Sequence, residues 1–210
     1  MISSRGFRRA AAAAATAAAM ATCSAAMAET RTSMTTVPLL GTSKPWQFDQ
    51  WKAITDAVRG GVSTARLVPC DAGAKFEGTL DPSKLQAGFA GMNLPASLLP
   101  ESLSNFDGLT LDVVAADEKE YTLLLKLRNA KEGSSYQVRF VPGGQKRVEA
   151  PFVDFVAYNR GRPDATAPPL KVADVVTLAI QIASKFQEQS GDFELVLRSI
   201  DGLKEGTVNV

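Results

Sequence analysis

The sequence of 210 residues contains no histidine. Imidazole is the side chain that exchanges protons most readily near neutral pH, so mechanisms built on a histidine base or on a Ser-His or Cys-His pair are excluded. Metal sites that depend on histidine ligands are excluded for the same reason. The chain therefore lacks the group on which much of enzyme catalysis depends.

Cysteine is almost as scarce, because the sequence has only Cys23 and Cys70. A chain that loses its N-terminal segment would keep Cys70 alone and would have no internal disulfide. Two isolated cysteines without histidine are also too few for a zinc site of the usual kind. Since a free cysteine packs as a small apolar residue, we expect Cys70 to lie at the end of a strand.

Neither sign of charge is in strong excess, with 23 Lys and Arg against 22 Asp and Glu. Residues 1–28 contain Arg5, Arg8 and Arg9 and no acidic residue, so losing these three positive charges changes the formal net charge from +1 to −2. A mildly acidic body has no field that attracts nucleic acid. We therefore expect no nucleic-acid partner.

The N-terminal segment is rich in alanine, and its first acidic residue is Glu29. A basic, acid-free helix of this composition is typical of a mitochondrial transit peptide. A secretory signal peptide that ends at Ala26-Met27-Ala28 is an alternative, and a shorter cytosolic product that starts at Met34 is another. The segment is too short and too weakly apolar for a transmembrane helix. We predict a cleavable or disordered Ala-rich targeting extension over residues 1–35 and a globular domain over residues 36–210.

From Trp46 onward the chain is a series of short runs that alternate apolar and polar residues. In four runs the apolar residues that share a face are Leu109, Leu111 and Val113; Leu123, Leu125 and Leu127; Val176, Leu178, Ile180 and Ile182; and Phe193, Leu195 and Leu197. Alternation with a period of two marks strands that are buried on one face. Turn residues separate the runs, and we expect a hairpin turn at Gly143-Gly144. The pattern predicts an all-β antiparallel sandwich.

Two adjacent glycines, Gly60 and Gly61, lie in the stretch DAVRGGVS. The stretch lacks the G-x-G-x-x-G spacing of a phosphate-binding loop, and no helical pattern follows it. Glycine adopts conformations that other residues avoid, so a bend in the backbone is the better interpretation. We expect Asp56 to support the bend by accepting backbone N–H bonds and Arg59 to project into solvent.

Carboxylates and aromatic rings offer alternative sites. Asp49 with Asp56, or Asp117-Glu118, would suit a general acid and base, but surface carboxylates are common and a solvated turn is the preferred interpretation. The rings of Trp46, Phe48 and Trp51 would suit stacking on a sugar. Since large aromatics usually serve burial, we expect them to close one end of the sandwich instead.

Six segments follow one another along the chain: W..ITDAVRGGVS, AKFEGTL, AGFAGM, LSNFDGLTLDV, EAPFVDFVAYNRGR and GDFELVLRSI. In the same order they resemble motifs of the complex I intermediate-associated protein 30 family, and the resemblance runs from about Trp46 to Ile200. Each motif alone is weak, and the shared order and spacing make the resemblance specific. Two departures are Arg59, where the family often has methionine, and Ala87, where it usually has glycine.

The resemblance implies a jelly-roll β-sandwich of the galactose-binding-like kind. It also implies a non-catalytic assembly factor that binds an intermediate of mitochondrial respiratory complex I (NADH:ubiquinone oxidoreductase) by protein–protein contacts, without cofactor or metal. The expected partners are subunits or assembly intermediates of complex I and other assembly factors. The family-motif residues expected to shape the backbone or contact a partner are Trp51, Asp56, Arg59, Gly60, Gly61, Ser63, Asp107, Gly108, Asp154, Arg160, Gly161 and Arg162.

Alternatives to this interpretation stay open at the level of sequence. The protein would otherwise be a carbohydrate- or small-ligand-binding module, or a family paralogue with another assembly client. For the compartment, the mitochondrial matrix side is favoured, with or without a peripheral position at the inner membrane. Cytosolic, plastid and secretory locations are the alternatives.

Overall fold

A computed structural model describes residues 30–209, so the predictions for the alanine-rich segment lie outside the described residues. The strands are β1 (Thr30–Gly41), β2 (Lys52–Thr55), β3 (Thr64–Cys70), β4 (Gly73–Leu80), β5 (Phe89–Pro95), β6 (Gly108–Ala116), β7 (Tyr121–Leu127), β8 (Ser134–Phe140), β9 (Arg147–Pro151), β10 (Val156–Asn159), β11 (Arg162–Pro163), β12 (Val175–Ala183) and β13 (Gly191–Asn209). Short 3₁₀ turns span Phe48–Gln50, Asp56–Arg59, Ala96–Leu98, Leu103–Asn105, Phe152–Asp154 and Val172–Asp174. Cys70 ends β3, as predicted.

The strands form two antiparallel sheets. In the six-stranded sheet the order is β3-β4-β13-β6-β9, and β1 pairs with the C-terminal part of β13. In the seven-stranded sheet the order is β11-β10-β8-β7-β12-β5-β2. The predicted all-β antiparallel sandwich is confirmed.

The apolar faces of the alternating runs meet between the two sheets. Leu109, Leu125, Ile180 and Leu195 are fully buried and belong to the same core cluster. Val176 differs from this pattern and is only half-buried, because the register of β12 against β7 shifts at that residue. Period-two alternation therefore predicts the inward faces, with one local exception caused by a bulge.

The predicted hairpin at Gly143-Gly144 is wrong. These glycines link β8, in the seven-stranded sheet, to β9, in the six-stranded sheet. The N–H of Gln145 donates to the carbonyl of Pro142 at 2.7 Å, which closes a β-turn. The same turn residues suit a hairpin and a crossing between sheets, so local sequence does not distinguish the two.

Strand β13 has 19 residues and organises the six-stranded sheet. One edge of β13 pairs first with β4 and then with β1, and the other edge pairs with β6. The first described strand therefore pairs with the last. β1 includes residues 30–35, which the sequence assigns to the targeting extension, and the position of that boundary stays a prediction.

Candidate functional site

Asp56 is the centre of the motif loop, which we define as residues 56–63. Its side chain is fully buried, where a carboxylate is costly unless it is hydrogen-bonded. The N–H of Ser63 donates to Oδ1 at 3.0 Å, and Oδ2 accepts the Ser63 hydroxyl at 2.7 Å and the N–H of Phe89 at 3.2 Å. The interpretation of Asp56 as a solvated residue is therefore wrong, and its expected role in accepting backbone N–H bonds is confirmed.

Ser63 extends this cluster to a third element. Its hydroxyl donates to Asp56 and accepts the N–H of Asp81, just after β4, at 3.0 Å. Ser63 is itself buried. The carboxylate and the hydroxyl thus join the start of β3, the end of β4 and the start of β5.

The two glycines of the motif loop serve different purposes. Gly60 has a φ of +84°, in the left-handed region, and a Cβ there would meet open space. A Cβ on Gly61 would instead overlap the carboxylate of Asp56, and the N–H of Gly61 donates to the carbonyl of Asp56 at 3.0 Å. Gly60 therefore provides the turn, while Gly61 allows the close approach.

Arg59 is exposed, but it does not extend freely into solvent. Its Nη2 donates to the carbonyl of Ala87 at 3.0 Å, and its guanidinium carbon lies 5.3 Å from the centre of the Phe89 ring. A guanidinium over an aromatic face is attracted to the ring. The predicted solvent exposure of Arg59 is confirmed. The sequence did not predict that its side chain is held against the start of β5.

Asp107 and Gly108 support a second junction, at the start of β6. The N–H of Asp107 donates to the carbonyl of Leu203 at 2.8 Å, and its carboxylate accepts the N–H of Glu205 at 2.9 Å. A Cβ on Gly108 would lie 2.7 Å from the carbonyl oxygen of Ala150. Both residues therefore hold neighbouring strands close together.

Arg160 and Gly161 form a two-residue hairpin turn between β10 and β11. Both have positive φ, 48° and 79°, and the flanking Asn159 and Arg162 are paired. This is the geometry of a type I′ turn, in which glycine is favoured. Both arginines and Asp154 are exposed.

The aromatic rings near the N-terminal end are part of the core. Trp46 and Trp51 are 7% and 4% exposed, and Nε1 of Trp51 donates to the carbonyl of Trp46 at 2.9 Å. Phe48 stacks on Trp46 at a centroid distance of 6.4 Å. The expectation of burial is confirmed for the two tryptophans, and Phe48 is half-buried against the same core.

Asp117 also differs from the predicted solvated carboxylate. Its Oδ1 accepts the hydroxyl of Tyr121 at 2.8 Å and the N–H of Lys119 at 3.0 Å, while Oδ2 accepts the N–H of Glu194 at 3.2 Å. Burial raises the pKa of Tyr121, so its hydroxyl keeps its proton and remains a donor. Asp117 therefore fixes the connection between β6 and β7.

The motif residues are brought together at structural junctions rather than around one cavity. The motif loop meets the start of β5 at one end of the sandwich, whereas Asp107-Gly108 and the turn at Arg160-Gly161 lie at other junctions. Within residues 30–209, no group of three or more His, Cys, Asp or Glu side chains could hold a metal ion. In the same range, no helix is long and apolar enough to cross a membrane.

One surface of the protein is not marked by any of the motif residues named from the sequence. On the outer face of the seven-stranded sheet, Lys126 is half-buried, and burial lowers the pKa of its ammonium group. The guanidinium carbon of Arg139 lies 4.7 Å from the centre of the Tyr158 ring on the same face. The alternation KLR in YTLLLKLR signals outward-facing cations, but only the sheet order shows which other residues share their face.

Comparison with known sequences gives a family for most of the sandwich. The profile described as Complex I intermediate-associated protein 30 (CIA30) matches residues 41–197. An uncharacterized protein of Schizosaccharomyces pombe is 35% identical over 178 residues, which is 77% of this chain and 81% of that relative.

Solved structures with a similar fold include two of a family 11 carbohydrate-binding module from Clostridium thermocellum. The one in complex with a β-1,3-1,4-mixed-linked tetrasaccharide has a TM-score of 0.51 and 18% identity, and the match covers 79% of this chain and 94% of the module. The other, from a cellulosomal cellulase, has a TM-score of 0.53 and 17% identity over 80% and 94% of the two chains. Identity this low reports the jelly-roll fold and not the ligand. By its sequence, the chain belongs to the complex I intermediate-associated protein 30 (CIA30) family.

Proposed function

We propose that this protein is a non-catalytic assembly factor that binds an intermediate of mitochondrial respiratory complex I through protein–protein contacts. Membership of the family carries the proposal. The hydrogen bonds of the motif side chains support it, because Asp56 and Ser63 bond to neighbouring backbone groups and to each other. A surface rather than a reactive group is then what the protein offers to a partner.

The proposal includes a position on the matrix side of mitochondria, with subunits or assembly intermediates of complex I and other assembly factors as partners. The arginines and the lack of acids in residues 1–28 support import. A C-terminally tagged chain should be found with matrix markers. A secreted or cytosolic tag would contradict this part of the proposal.

Deletion of the gene tests the function directly. We expect native gels to show less mature complex I and an accumulated subassembly, both corrected by the wild-type chain. Normal complex I in the deletion strain would overturn the proposal and favour a family paralogue with another client.

The carbohydrate- or small-ligand-binding alternative has weaker support. It draws on the fold and on the rings of Trp46, Phe48 and Trp51, and the two tryptophans are buried in the core. The similar modules support the fold only, since their identity to this chain is 17–18%.

Arg59 is the motif residue best suited to test partner contact. Arg59→Glu removes one hydrogen bond and one cation–π contact at an exposed site, so we expect it to lower the free energy of unfolding by only about 1 kcal/mol or less. We expect the same change to weaken capture of the assembly intermediate about tenfold. Urea unfolding and co-purification from mitochondria measure the two effects.

Lys146→Glu is the matched control for this reversal of charge. Lys146 is exposed on the connection between the two sheets, away from the start of β5. It should change neither stability nor capture. Unfolding by Arg59→Glu would make Arg59 a structural residue, and unchanged capture would remove it from the contact surface.

A further inference from the structure

Alternate side chains of the seven-stranded sheet point away from the core, and we call this surface the outer face. Cross-strand pairing arranges it in three rows: Lys52, Asn93, Ala179, Leu124, Gln137 and Val156; Ile54, Gly91, Gln181, Thr122 and Arg139; and Pro95, Thr177 and Lys126. Leu124 and Ala179 are 4% and 1% exposed, yet neither belongs to the core cluster. Their burial shows that the middle of this face is recessed between longer neighbours.

The charges of the two sheets differ sharply. The strands of the seven-stranded sheet contain no aspartate or glutamate, and their basic residues are Lys52, Lys126, Arg139 and Arg162. The strands of the six-stranded sheet carry both signs of charge: their basic residues are Arg31, Arg66, Lys75, Arg147, Arg198 and Lys204, and their acidic residues are Glu77, Asp112, Glu149, Asp192, Glu194, Asp201 and Glu205. The formal net charge of the strands is therefore −1 (6 − 7) in this sheet and +4 (4 − 0) in the seven-stranded sheet. A chain whose body is mildly acidic therefore carries one sheet that is free of acidic side chains.

The two cations of the outer face differ in their partners. Lys126 is desolvated, and among the described residues no acidic neighbour acts on its pKa. Arg139 forms an ion pair with Glu120, whose carboxylate oxygen lies 3.9 Å from its guanidinium group. A half-buried ammonium group without an anion is costly, and a carboxylate brought by a ligand would relieve that cost.

Arginine–aromatic pairs mark two sides of this face. Arg139 lies over Tyr158 of β10, and Arg59 lies over Phe89, the first residue of β5. Four strand spacings separate β10 from β5, which is about 19 Å, a distance spanned by about six extended residues. In strand order Lys126, on β7, lies between β10 and β5, and its partner Thr177 pairs with Pro95, at the opposite end of β5 from Phe89.

We propose that the outer face binds an acidic, extended segment of a protein partner, with carboxylates placed against Arg139, Lys126 and Arg59. The identification of that partner as a complex I intermediate rests on the function proposed above. The preference for an acidic segment rests only on the charge difference between the two sheets. A flat bilayer surface does not reach a recessed lysine, and the acidic body disfavours a nucleic acid. An acidic polypeptide satisfies both the shape and the charge.

Fluorescence polarisation tests the face without knowledge of the partner. The probe is a labelled peptide of about twelve residues that alternates glutamate and serine, compared with a glutamine–serine peptide and an RNA of similar length. We expect the full chain to bind the acidic peptide in a salt-sensitive manner and Lys126→Glu to weaken that binding about tenfold or more. Lys146→Glu, on the connection outside this face, should bind as the wild type does.

Lys126→Met tests whether unfolding, and not the lost charge, explains weaker peptide binding by Lys126→Glu. It removes the charge and keeps most of the length, so the melting temperature should not fall while binding to the acidic peptide weakens several-fold. Equal binding of the acidic and glutamine peptides, tighter binding of RNA, or unchanged binding by both Lys126 variants would overturn the inference.

Complementation of the deletion strain separates this inference from the proposed function. If the wild-type chain restores complex I and folded Lys126→Glu does not, both stand. If both chains restore complex I, the outer face is not the contact surface and the inference is overturned, while the proposed function stands. If the wild-type chain corrects no defect in complex I, the proposed function is overturned, and the peptide measurement alone decides the inference.

Discussion

Replacement of Asp56 by alanine is expected to lower the free energy of unfolding by about 3–5 kcal/mol. The change removes the acceptor for the N–H and hydroxyl of Ser63 and for the N–H of Phe89. Because Asp56 and Ser63 are buried, water does not readily replace the lost acceptor. Urea unfolding of the purified chain measures the loss.

Two further variants make the result specific. Asp56→Asn keeps the shape but offers an amide group where one oxygen accepted bonds, so its stability should lie between that of the wild type and that of Asp56→Ala. Asp49→Ala removes an exposed carboxylate from the same region and should change stability by no more than about 0.5 kcal/mol. Equal stability of Asp56→Ala and Asp49→Ala would show that the buried cluster does not hold the motif loop.

Gly61→Ala is expected to cost about 3 kcal/mol, and Gly60→Ala about 1 kcal/mol, although the two glycines are adjacent. A methyl group on Gly61 would displace the carboxylate of Asp56, whereas one on Gly60 meets open space and costs only the strain of a positive φ. Thermal and urea unfolding of the two variants would show this ranking. A reversed ranking would mean that backbone strain dominates the loop.

A double variant identifies the cause. If the clash with Asp56 is responsible, Gly61→Ala should cost at least about 1 kcal/mol less in the Asp56→Ala background, because the displaced group is then absent. Gly60→Ala should cost the same in both backgrounds. Additive costs for Gly61→Ala would contradict the geometric explanation.

The sequence predicts most of the fold because alternation reports burial directly. The inward faces of β6, β7 and β13 follow from period two, and the family follows from motifs whose glycines stand where backbone geometry excludes a side chain. Gly61 and Gly108 are examples of such positions. Alternation does not encode the sheet to which a strand belongs, so it does not distinguish a hairpin at Gly143-Gly144 from the observed crossing between the sheets.

The burial of Asp56 was not predictable for a related reason. One of its donors, the N–H of Phe89, comes from 33 residues further along the chain. Only the pairing of β2 with β5 brings the two together. The outer face was not predictable for the same reason. The sequence shows that each of its strands lacks acidic residues, but only the strand order of the sheet shows that these strands share one surface.

The long β13 strand has a consequence for how the chain reaches its native state. β4, β6 and β1 all pair with β13, so these strands gain their common neighbour only after residues 191–209 have left the ribosome. The strands of the seven-stranded sheet end at residue 183 and are complete earlier. Pairing of the first strand with the last gives a high contact order, which slows folding. Until β13 is in place, the apolar side of the seven-stranded sheet has no complete partner sheet to cover it, and exposed apolar surface of this kind is what chaperones bind.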